Sequence, residues 1–129
     1  MAKPYSFILI DDEHVSNQLT EIQIKRVFPD AKITCFSDPR EAIDNIEHNY
    51  MDYPESTIIF LDINMPYSGW KVLEIFEEYP AEIHDRFIIY IHTSSSDAGD
   101  EVKAKRYPLV KACFQKPVIK QHLLDMFGE

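Results

Sequence analysis

No run in this 129-residue chain approaches the roughly 20 apolar residues that a membrane-spanning helix requires. The N-terminus, Met1-Ala2-Lys3-Pro4, leads straight into a short apolar stretch rather than a secretory leader, so the chain is expected to be cytoplasmic, without membrane insertion. Cysteine is scarce. Cys35 and Cys113 have no metal-ligand spacing and fall in apolar, strand-like patterns, which predicts buried reduced thiols instead of a zinc site. Basic residues are in deficit: 13 Lys and Arg stand against 22 Asp and Glu, a net charge of −9. Affinity for phosphate backbones comes mainly from clustered Lys and Arg, so nucleic acid is not expected as a direct partner. Internal repeats, low-complexity tracts and linkers are also lacking, and the length fits one domain without room for a second, output module.

What the chain does have is a series of apolar strands that each end in polar chemistry. Thr57-Ile58-Ile59-Phe60-Leu61 is apolar and β-branched enough to be buried on both faces, and it ends at Asp62. Phe7-Ile8-Leu9-Ile10 ends at Asp11-Asp12-Glu13, Phe87 to His92 ends at Thr93-Ser94-Ser95-Ser96, and Val110 to Gln115 ends at Lys116-Pro117. Open α/β sheets put their chemistry at the C-terminal edge of the strands. If the first and third strands are parallel neighbours, Asp11, Asp12 and Asp62 converge, and three carboxylates in one pocket repel unless a proton or cation joins them. Oxygen ligands of this kind suit Mg²⁺. A phosphoryl group carried on a carboxylate would need this company: a metal and a lysine to offset its charge, and a hydroxyl to bond one of its oxygens.

On these residues the chain resembles the receiver domain of bacterial two-component response regulators over essentially its whole length. The resemblance rests on the acidic pair Asp11-Asp12 after strand one, the Asp62-x-x-Met65-Pro66-x-x-Gly69 turn after strand three, Thr93 after strand four and Lys116-Pro117 after strand five. It implies a flavodoxin-like α/β fold with five parallel strands in the order 2-1-3-4-5, and residues 1–129 as one stand-alone receiver domain. It further implies that Asp62 accepts a phosphoryl group from a sensor histidine kinase or a histidine phosphotransfer protein. Mg²⁺ would be held directly by Asp12, by Asp11 directly or through water, by Asp62, and by the backbone carbonyl of Asn64. Thr93 would hydrogen-bond the phosphoryl group, Lys116 would pair with it, and Asn64 and Ser95 would flank the path of hydrolytic water. Such a protein is a phosphoacceptor signalling to a downstream protein, not a turnover enzyme. The alternatives on the same carboxylates are a Mg²⁺-dependent phosphohydrolase and a receiver-like scaffold that is not phosphorylated.

Two positions depart from the family pattern. Receivers usually carry Tyr or Phe three residues before the strand-five lysine, where this chain has Cys113, and alternation points the neighbouring Phe114 to the opposite face unless a bulge shifts the register. The response is therefore expected to run mainly through the Thr93 to Ser96 loop and the helix after it. Ser94 is the alternative hydroxyl to Thr93 if strand four runs one residue longer.

The helices between the strands are also legible. The first starts at Asp12 or Glu13 with Val15, Leu19 and Ile22 on its expected inner face. Asp38 and Glu41, with Pro39 in the first turn, form a capping box for a helix running toward Tyr50. Trp70 leads a helix carrying Val72, Leu73, Phe76 and Tyr79, which Pro80 ends, and the last helix starts at Pro117 with Ile119, Leu123 and Phe127 inward. Between Asp97 and Arg106 only Ala98, Val102 and Ala104 are apolar, so that helix should be weakly packed. Asn49 to Ser56 and Ala81 to Arg86 read as loops. Six of the 13 basic residues (Lys103, Lys105, Arg106, Lys111, Lys116, Lys120) crowd near the C-terminus, as a solvated helix face or a docking surface for an acidic partner.

Overall fold

Two strands are buried at every position: β1, Ser6–Ile10, and β3, Thr57–Leu61. They lie side by side at the centre of a five-stranded parallel sheet with β2 (Lys32–Phe36), β4 (Phe87–Thr93) and β5 (Val110–Gln115), in the order β2-β1-β3-β4-β5. The computed structural model describes residues 5–94, 98–116 and 120–127. Ser95, Ser96, Asp97, Pro117 and Ile119 lie outside the described residues, as do the side chains of Ala98 and Phe127.

Alternation along the strands divides the core into two layers. Ile8, Ile10, Ile59, Leu61, Ile89 and Ile91 meet Ile43 and Ile46 of α2 (Pro39–Asn49) and Val72, Leu73 and Phe76 of α3 (Gly69–Glu77). On the other face Phe7, Leu9, Ile58, Phe60 and Tyr90 meet Ile24 of α1 (His14–Val27) and Leu123 of α6 (Lys120–Phe127). Phe60 holds the second layer together through edge-on contacts with Phe7, Tyr90 and Phe114 at ring separations of 5.6, 6.0 and 5.2 Å.

Several local expectations are corrected. Val15, Leu19 and Ile22 do not face the core: they are 64, 55 and 49% exposed. The buried side of α1 is Asn17, Thr20 and Ile24, which has the same helical spacing on the opposite face. Asn17 decides the orientation, because its carboxamide donates to the carbonyls of Asp11 (3.0 Å) and Phe36 (3.4 Å) at the end of the sheet. Hydropathy alone ranks the two faces wrongly when the inward one is anchored by an amide. Asp38 does cap α2, yet its carboxylate takes the Arg40 N–H (2.9 Å) and guanidinium (3.2 Å). The segment read as a loop after Pro80 contains a short helix, α4 (Ala81–His84), that tucks Ile83 into the core. The helix before β5 is accordingly α5 (Ala98–Ala104).

Cys35 is exposed, since β2 is an edge strand, and Cys113 is half-buried. Partial burial and the neighbouring Glu21 carboxylate push the Cys35 thiol up to about 11, so it stays protonated and unreactive at neutral pH.

Candidate functional site

The sheet's hydrogen-bond ladder continues one residue past the strands at the central pair. The Asp11 N–H donates to the Phe36 carbonyl (3.1 Å) and the Asp62 N–H to the Ile10 carbonyl (2.9 Å). Both carboxylates are thereby fixed at the sheet's C-terminal edge, 4 and 3% exposed. Asp12 follows at once, and one oxygen from each of Asp11, Asp12 and Asp62 lies within 4.8 Å of the others.

The turn after β3 is shaped by a close approach. A Cβ on Gly69 would stand 2.4 Å from the Asp62 carbonyl oxygen and 2.7 Å from Ile63 Cα, so only glycine lets α3 begin against the backbone of that turn. Ser68 caps the helix by accepting the Trp70 N–H at 3.1 Å. Within the turn the Asn64 N–H donates to Asp62 Oδ1 at 2.9 Å. The Asn64 carboxamide reaches across to Thr93 Oγ1 at 2.7 Å. Thr93 is buried at the end of β4, whereas Ser94 is exposed, so it is Thr93 that meets the Asp62 turn. Lys116 follows β5, its N–H bonded to the Thr93 carbonyl at 2.7 Å. Its ammonium donates to Asp11 Oδ2 and, at 3.3 Å, to Asp62 Oδ2.

All six residues that the sequence singles out, Asp11, Asp12, Asp62, Asn64, Thr93 and Lys116, thus meet at one end of the sheet. Ser16 is an addition: its hydroxyl donates to Asp11 Oδ2 at 2.6 Å from the first turn of α1. Its signal in the sequence was only a hydroxyl placed one turn beyond an acidic strand end.

The charges are unequal. Burial raises the Asp62 carboxyl above the usual carboxylate range against the pull of the Asn64 N–H and the Lys116 charge. Burial acts the same way on Asp11, but the hydrogen bonds from Lys116, Ser16 and the Glu13 N–H outweigh it and hold Asp11 below that range. Burial works against the Lys116 ammonium, and its bonds to Asp11 and Asp62 overcome it, leaving it raised. The Asp11–Lys116 pair therefore stabilises the fold across neutral pH. Its contribution is lost as pH falls through the depressed Asp11 value, and again as pH rises through the elevated Lys116 value. Asp62 has the opposite sign: ionised, it weakens the fold.

The Lys116 ammonium serves Asp11 and Asp62, and Asp12 Oδ1 is buried with no hydrogen-bond partner. A buried carboxylate oxygen left alone is costly, and a hard divalent cation is what this oxygen-only donor set fits. Both Asp11 oxygens are already engaged, by Glu13 and by Ser16 and Lys116, which leaves Asp12 the better placed for direct ligation.

Cys113 packs on the α2–α3 side, lining a groove of about 290 Å³ with Glu101, Ala104 and Val110, while Phe114 lies on the other face between Phe60 and His92. The register shift in the β4–β5 pairing falls before both residues, so it does not exchange them. His92, buried and stacked on Phe114 at 4.8 Å, is driven down to about 3 by burial and then by the Lys116 charge, and stays neutral. Within the basic stretch, Lys116 belongs to the acidic pocket, and Lys103 lies over the Trp70 ring at 4.6 Å. Trp70 also stacks on Tyr107 at 5.6 Å. These contacts, with buried Ala104, hold α5, while Val102 is exposed.

No protein-family model and no curated protein matches the chain. Solved structures do. The two-component response regulator from Cytophaga hutchinsonii is 26% identical and superposes with a TM-score of 0.86, covering 98% of this chain and 96% of that one. A response regulator receiver protein from Dyadobacter fermentans is 22% identical with a TM-score of 0.83, over 97% of this chain and 99% of its own. The response regulator Rcp1, solved in a Mn²⁺-bound form, is 20% identical with a TM-score of 0.72, covering 97% and 90% of the two chains. The fold is the flavodoxin-like fold of receiver domains, as the strand order expected from the sequence required. Among the described residues no helix is long and apolar enough to cross a membrane.

Proposed function

We propose that this chain is a phosphorylation-dependent receiver, in which Asp62 takes a phosphoryl group from a phosphohistidine on a partner protein. The observation that carries this reading is a buried carboxylate at a strand end, bonded to a lysine and set beside two further acidic groups, one of them with an orphaned oxygen. An Asp62 oxygen attacks phosphorus, a P–O bond forms as the P–N bond breaks, and the departing imidazole keeps the electron pair and takes a proton. Lys116 offsets charge on the phosphoryl oxygens, and Thr93 offers its hydroxyl. Asp11, Asp12, Asp62 and the Asn64 carbonyl would hold Mg²⁺, which supplies charge neutralisation for the incoming phosphoryl group. Incubation with acetyl phosphate and Mg²⁺ followed by intact-mass measurement tests the reading. A receiver gains one phosphoryl group per chain. Steady phosphate release from unmodified protein would make it a phosphohydrolase, and neither result a scaffold.

The exposed row Val15, Leu19 and Ile22 supports a protein donor, because α1 begins beside the acidic pocket and large apolar side chains in one row mark a contact surface. A sensor kinase or phosphotransfer protein seated there would bring its histidine over Asp62. Leu19→Glu is expected to slow transfer from such a donor on the order of tenfold, with loading by acetyl phosphate unchanged. Equal slowing of both would place Leu19 in the fold and not in the contact.

A further inference from the structure

Asn64 belongs to the turn after β3, and Thr93 ends β4, so the 2.7 Å bond from its carboxamide to Thr93 Oγ1 joins two strand ends directly beside the Asp62 carboxylate. The same residue holds Asp62 Oδ1 through its backbone N–H at 2.9 Å. One residue thus restrains both groups that a phosphoryl unit would have to engage. The turn's backbone is fixed by Gly69, so Asn64 can let go of Thr93 without releasing Asp62: the side chain turns about its own bonds while the N–H stays in place. Asn64 is exposed, so its carboxamide can turn to water, whereas Thr93 is buried and needs a replacement partner inside the pocket.

On the reading of Asp62 as phosphoacceptor, we infer that the Asn64 carboxamide is a resting-state latch on Thr93: it holds the hydroxyl until a phosphoryl oxygen replaces it, and so sets how readily the phosphorylated arrangement forms. Asn64 is here a positioning residue acting through Thr93. Removing the side chain lowers the cost of recruiting Thr93 to the phosphoryl group by one exchanged hydrogen bond.

The test is a double-mutant cycle on the 129-residue chain, with beryllofluoride and Mg²⁺ as the phosphoryl mimic and binding followed by ¹⁹F NMR. Asn64→Ala is expected to tighten beryllofluoride binding about fivefold in the native background. In a Thr93→Val background, which keeps the branched side chain and removes the hydroxyl, the same change is expected to have almost no effect. Weaker binding in Asn64→Ala, or an equal effect in both backgrounds, would overturn the latch. Failure of the unsubstituted protein to take beryllofluoride would overturn the phosphoacceptor reading itself, and the latch with it.

Discussion

Asp12→Ala is expected to abolish loading by acetyl phosphate, reducing its rate by a factor on the order of a hundred or more, while the metal-free fold survives. Asp12 has a buried oxygen with no partner, so removing it takes away a proposed cation ligand and no hydrogen bond of that oxygen. An unpaired buried polar atom costs about 1–3 kcal/mol, and its loss offsets the small packing lost with the side chain. The metal-free variant should therefore unfold at the same denaturant concentration as the parent, or a higher one. The parent should gain stability as Mg²⁺ is added, about 2.7 kcal/mol at a hundred times the dissociation constant, and Asp12→Ala should gain none. Denaturant titrations with and without Mg²⁺ check this. Unaltered loading would remove Asp12 from the metal site.

Gly69→Ala is expected to cost about 3 kcal/mol, the upper end for overpacking, because the new methyl meets backbone and not the tip of a flexible side chain. Its three nearest atoms are the Asp62 carbonyl oxygen, Ile63 Cα and the Asp62 carbonyl carbon, at 2.4, 2.7 and 3.1 Å. Either α3 moves off the sheet or the turn moves and carries Asp62 away from Lys116. Chemical denaturation gives the first effect and beryllofluoride affinity the second. A variant within about 0.5 kcal/mol of the parent, with parental affinity, would mean that the turn yields freely.

The sheet and its polar edge were legible in the sequence because fully buried parallel strands are continuous apolar runs, and the first polar residue after each run must stand at the edge. That logic located Asp11, Asp62, Thr93 and Lys116 without reference to any side-chain contact. It failed on α1, where Val15, Leu19 and Ile22 compete with Asn17, Thr20 and Ile24 for the inward face. The winning face carries two polar residues, and its merit lies in bonds to the Asp11 and Phe36 carbonyls that no periodicity encodes. Cys35 was misplaced for a related reason: apolar neighbours signal a strand, but not whether the strand is at an edge. The anchoring of α5 through Lys103, Trp70 and Tyr107 was invisible because it joins residues from separate elements by ring faces, not by an apolar stripe.

Asp62, and no other carboxylate in the pocket, is expected to carry the phosphoryl group. Borohydride trapping tests it most directly, since hydride reduces an acyl phosphate to an alcohol and turns the modified aspartate into homoserine. After treatment with acetyl phosphate and Mg²⁺, peptide mapping is expected to find homoserine at position 62 and aspartate intact at positions 11 and 12. Homoserine at position 11 or 12, or none anywhere in folded protein, would contradict the account.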